Sequence, residues 1–171
     1  IEYFVIFVFF WILGVCVTDS NDIANYEWAY NHRIAHNKEY FFDIIQFFFH
    51  DAGWSFEFFK TVWTSVVTIL LYRGIKKHSK TPSSTVGLAL ISVMTAFITQ
   101  MRSALVGAIF LNAIQLIWSG KRKDRVVYLI IILLCAQIHI MAYSFLIFLF
   151  INPEKNVNFK KLYYIVISLI T

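Results

Sequence analysis

Apolar residues gather in long blocks along this chain, and the polar residues fall between them in two kinds of cluster. A membrane helix needs about 20 predominantly apolar residues. Several of the blocks over 1–17, 58–72, 86–100, 103–118, 126–151 and 162–171 come close to or reach that length, singly or as one run. The pattern predicts a helical bundle with these as its apolar segments. It also predicts a polar outer loop over 18–57. The run from Val86 to Trp118 would make a helix of roughly 50 Å, against a hydrocarbon core of about 30 Å, so two shorter helices meeting near "TQMRS" are expected. Arg102 is the sole formal charge in that run.

Charge sets the sides. "RGIKKHSK" before the run and "SGKRKDR" after it are both basic, which reads as cytoplasmic. The region from Thr18 to Glu57 carries Asp19, Asp22, Glu27, Glu39, Asp43, Asp51 and Glu57 against Arg33 and Lys38, which favours the outer side. Two cytoplasmic flanks require an even number of crossings, which places Arg102 at an outer turn. For 126–151 the arguments conflict. A single span would put the basic "NPEKNVNFKK" outside, and a broken or re-entrant element near His139 would reconcile them.

Composition agrees with the pattern. The chain of 171 residues is 59% hydrophobic and 15% charged, where a soluble domain is about 25% charged. The expected class is an all-α, polytopic transmembrane bundle. The net charge of +5 reflects basic loops, not a nucleic-acid surface. Cys16 and Cys135 have no metal-ligand or redox spacing and read as small buried hydrophobes. Lys60 is expected to snorkel to the interface. The chain starts at Ile1 inside one apolar run and ends inside another, so a piece of a longer protein is expected.

Within the outer region, "EYFFDIIQFFFH" places Glu39, Asp43, Gln46 and His50 on one helical face with aromatics around them. This predicts an amphipathic helix over about 39–50 lying in the outer interface, with its polar stripe toward water or a reaction cavity. Upstream, Asp19, Asp22, Tyr26 and Tyr30 recur at helical spacing, beside Arg33. Acids so placed suit a general base or a metal ligand pair. No Walker loop, G-x-G-x-x-G, H-E-x-x-H or C-x-x-C is present, so chemistry is expected at the membrane, on a lipid-soluble substrate or one delivered from outside.

The order of "DIANYEWAY", then "MRSALVGAIFL", then "AQIHIMAYSFL" resembles the EpsG-like branch of the Wzy-type polysaccharide polymerases. The matching residues are Asp22, Asn25, Tyr26, Tyr30, Arg102 and His139. Ser103 stands where that family usually has Gln, and Met141 where a small hydroxyl residue is usual.

The resemblance implies a multi-pass protein of the bacterial inner or plasma membrane, in the GT-C-like glycosyltransferase class. Its activity would be transfer of a glycan from undecaprenyl diphosphate onto an acceptor lipid-linked oligosaccharide at the outer face, in exopolysaccharide, capsule or O-antigen synthesis. Arg102 would hold the diphosphate, with Tyr26, Tyr30, Arg33 and Glu39 as further substrate-binding residues. His139 would serve as general base, with Asp22 as its rival. No cofactor and no metal is called for. The implied partners are the lipid-linked oligosaccharide, the bilayer, and chain-length regulator and export proteins. A flippase for the same lipid-linked sugar and a membrane O-acyltransferase are the competing readings.

Overall fold

A computed structural model describes residues 2–18, 20–35, 39–80 and 99–150. The expected segment over 162–171 and most of that over 86–100 lie outside the described residues. Among those described, every regular element is helical. They are α1 (Glu2–Cys16), α2 (Asn21–Asn31), α3 (Tyr40–Asp51), α4 (Phe56–His78), α5 (Met101–Ala113), α6 (Gln115–Trp118), α7 (Arg122–Ala136) and a closing 3-10 helix (Ile140–Phe150). One helical stretch there, Met101–Trp118, is long and apolar enough to cross a membrane; counting α1 with α2 as one broken span makes two.

Local chemistry explains the boundaries. Ser20 and Ser55 are N-caps, their hydroxyls accepting from the backbone N–H of Ile23 and Phe58 at 3.2 and 3.3 Å. Glu57 opens α4 and Lys76, Lys77 and His78 close it, an order that suits the helix dipole. Just past the C-cap of α3, Gly53 turns the chain with a φ of 77°, the left-handed conformation that a side chain would strain.

α4 is the central column, packed between α1 and α5. At the first contact a Cβ on Gly14 would lie 2.7 Å from Thr64 Cγ2, so glycine lets the two backbones approach. Trp11 Nε1 donates to Ser65 Oγ across the same interface at 2.8 Å. At the second, Asn112 Nδ2 donates to Leu70 O at 2.8 Å and to Ala108 O of its own helix. Lys60 does not run outward: it is buried, and Nζ donates to Val17 O at the end of α1. An ammonium there satisfies a carbonyl that the helix leaves unpaired. Cys135 is buried, whereas Cys16 is exposed.

An aromatic cluster holds α2 and α3 against α4. Tyr30 stacks on Phe59 at 5.5 Å between centroids, and Phe42 meets Trp63 edge-on at 5.1 Å.

The apolar run over 126–151 folds back on itself. Tyr128 donates from its hydroxyl to Phe145 O at 2.8 Å, although 17 residues separate them. A straight helix would hold those positions about 25 Å apart. The reversal lies at Gln137–His139, between α7 and the 3-10 helix. The returning limb is pinned by Phe145, stacked on Phe110 of α5 at 4.0 Å.

Candidate functional site

Arg102 lies in the first turn of α5. That turn is fixed from α4, where buried Trp63 donates through Nε1 to Met101 O at 2.8 Å. The guanidinium then points at α2 and α3. Its Nε donates to Tyr26 Oη at 3.1 Å. Its Cζ lies over the adjacent rings of Tyr26 and Phe42, 5.0 and 5.4 Å from the centroids. Its Nη1 forms an ion pair with Glu39 Oε2.

Glu39 occupies the N-cap position of α3, yet its side chain accepts no capping hydrogen bond. Its second oxygen, Oε1, accepts from His139 Nδ1 at 2.6 Å. A carboxylate can only accept, so the imidazole carries its proton on Nδ1 and presents Nε2 as the basic nitrogen when neutral. His139 sits at the reversal after α7. The reversal is tied to α3 by Phe41 N–H, which donates to Gln137 O at 3.0 Å.

The result is a partly buried set drawn from four places in the chain: Tyr26, Glu39, Arg102 and His139. Side-chain exposure is 8% for Glu39, 18% for Arg102 and 24% for His139. A carboxylate this buried requires a cation beside it, and Arg102 supplies one. The first turns of α3 and α5 both open here, so their partial positive charges reinforce Arg102.

The polar stripe of α3 faces inward except at His50, which is part-exposed beside Asp51. Asp43 and Gln46 are buried with Glu39, while Tyr40, Ile44 and Phe48 are more than 60% exposed. The helix therefore shows its apolar face to the surroundings and its polar face to the bundle.

Other residues expected at the site stand elsewhere. Asp22 is exposed in the first turn of α2, outside the set. Tyr30 is committed to packing, its hydroxyl donating to Trp54 O at 2.8 Å. Arg33 is exposed near the far end of α3, where Nε and Nη2 grip Asp51 at 3.0 and 2.9 Å. Asp19 lies outside the described residues. Among the described residues no group of three or more His, Cys, Asp or Glu side chains could hold a metal ion.

Sequence reasoning missed Phe42 as the floor beneath Arg102. The signal was its place three residues after Glu39, which sets both on one helical face. It also missed the Glu39–His139 pair, 100 residues apart, for which no local pattern exists.

No curated protein and no solved structure matches the chain. The match to the EpsG family runs over residues 1–171, the whole chain, and the protein belongs to this Wzy-like polymerase family, which gives it a polysaccharide polymerase-related function.

Proposed function

We propose that the protein is a membrane polysaccharide polymerase that moves a glycan from a polyprenyl diphosphate carrier onto an acceptor lipid-linked oligosaccharide at the outer membrane face. The observation that carries this reading is the ordered chain Tyr26–Arg102–Glu39–His139. It combines a phosphate-binding cation with a nitrogen base held in one tautomer.

In the transfer, the acceptor hydroxyl oxygen attacks the anomeric carbon of the donor glycan. The bond from that carbon to the diphosphate oxygen breaks, and the carrier diphosphate leaves with the electron pair. His139 Nε2 takes the hydroxyl proton. Glu39 fixes the ring and offsets the imidazolium charge through Nδ1–H. The Arg102 fork binds the diphosphate and stabilises the charge that grows on it, and the two helix N-termini add to the field. His139 is the catalytic base in this reading, in preference to Asp22, and Tyr26 positions the guanidinium.

Placement in a bilayer follows from charge and from the fold-back. With α7 and the 3-10 helix reversing at His139, the described chain returns by Phe150 toward the side of "SGKRKDR" without a full crossing. His139 then points toward the outer side with Arg102 and the acidic loop. The exposed apolar face of α3 rests in the outer interface, at the depth where a lipid diphosphate sits. This supports a multi-pass, GT-C-like bundle in a bacterial inner or plasma membrane.

The experiment is polymer length on cells carrying Arg102→Ala or His139→Gln protein that still inserts normally. Short or absent polymer is expected in both. Long polymer in both sinks the reading.

A further inference from the structure

One carboxylate serves two partners in this site. Glu39 Oε2 pairs with Arg102 and Oε1 accepts from His139 Nδ1. The two demands compete once a diphosphate arrives. Arg102 Nε is engaged by Tyr26, whose ring and that of Phe42 lie against the guanidinium on one side. What remains for a bidentate anion is the Nη edge, where Glu39 already lies. Two anions cannot share that edge without repulsion in a partly buried pocket.

We infer that Glu39 is an exchange partner: its carboxylate holds Arg102 until a lipid diphosphate takes the guanidinium, and it then acts on His139 alone during transfer. The inference rests on the polymerase reading of the site. The N-cap geometry makes the exchange inexpensive, because the Glu39 side chain caps nothing and can leave Arg102 without opening α3. His139 stays in place through the exchange, since Gln137 O remains bound to Phe41 N–H. After transfer the carboxylate returns to Arg102 and displaces the spent carrier diphosphate. Glu39 is thus a positioning residue with a second task, product release, and it weakens resting affinity for the diphosphate in order to permit turnover.

The test uses the full-length protein in lipid nanodiscs, with farnesyl diphosphate as the probe. Glu39→Gln removes the competing charge, so the probe is expected to bind about tenfold tighter, the scale of one charge-assisted contact released. Transfer from a lipid-linked oligosaccharide should fall at the same time, because a neutral amide no longer offsets the imidazolium charge that forms on His139. A merely structural role would lower both. Equal or weaker probe binding by folded Glu39→Gln protein overturns the exchange while leaving the phosphate role of Arg102 standing. Probe binding unchanged in Arg102→Ala overturns the phosphate role and the exchange together.

Nitrogen-15 spectra of the wild type give an answer even if Glu39→Gln fails to fold. Adding the probe should move the Arg102 Nη signals and leave His139 Nδ1 protonated. Unmoved Arg102 signals, or loss of the Nδ1 proton, overturn the inference.

Discussion

Arg102 has a demanding position that lysine cannot fill. Its Nε reaches Tyr26, its Nη1 reaches Glu39, and its Cζ lies over two neighbouring rings, Tyr26 and Phe42. A lysine offers a point charge on a flexible stem, without fork or plane. Arg102→Lys is expected to fold and insert but to lose about 100-fold or more in transfer rate, the usual scale for removing a donor aimed at developing charge. Product formation by membranes from cells making the variant checks this; near-normal rate would reduce Arg102 to a turn residue. At the far end of α3 the hydrogen bond from Arg33, and after it that from His50, holds the Asp51 carboxyl below its usual range. A carboxyl depressed in the folded state stabilises above its unfolded pKa, and loses that contribution as pH falls through the folded value. Wild type should therefore melt slightly above Asp51→Asn near neutral pH, and the gap should close as pH drops below the ordinary carboxylate value of about 3.9. Thermal melts across that range would show it. The effect is small because the pair is exposed.

At the scale of elements, α3 and the α1–α4 contact carry the clearest consequences. The apolar face of α3 continues past its end into Trp54, which packs on Phe48, Phe49 and Phe58. If this surface lies in the outer interface, a variant keeping Trp54 as its only tryptophan should be quenched most by lipids brominated near the headgroup. Quenching strongest from deep bromines would place α3 elsewhere. Across α1 and α4, Gly14 faces Thr64, a β-branched side chain with little rotamer freedom in a helix. Gly14→Val should lower the thermal midpoint by forcing the helices apart, and Gly14→Val with Thr64→Ala should recover part of the loss. The period of "EYFFDIIQFFFH" gives the helix over Tyr40–Asp51 and the shared face of Glu39, Asp43 and Gln46. It cannot say whether that face meets water or the bundle, because a stripe of mixed polar residues suits both. The inward answer comes from Arg102, His139 and the aromatic cluster, all distant in sequence.

At the scale of the molecule, long-range pairing decides what the chain can do. Arg102 stands out in sequence because one charge interrupts a long apolar run, and His139 because it sits mid-run. Their common partner does not stand out, since Glu39 is one acid among several in the outer region. The reversal at Gln137–His139 leaves a trace in the basic residues on both flanks, whereas the Tyr128–Phe145 bond that fixes it leaves none. Tyr30 and Arg33 share spacing with the site but serve packing and an exposed ion pair, because helical spacing reports a face and not what meets it. If Arg102, Glu39 and His139 form the reaction centre of a polymerase, carrier must leave in step with each bond made. Release of polyprenyl diphosphate by purified protein in vesicles supplied with lipid-linked oligosaccharide tests it most directly. Wild type should release one carrier for each glycosidic bond formed, and Arg102→Ala and His139→Gln should release almost none. Equal release by both variants would contradict the account.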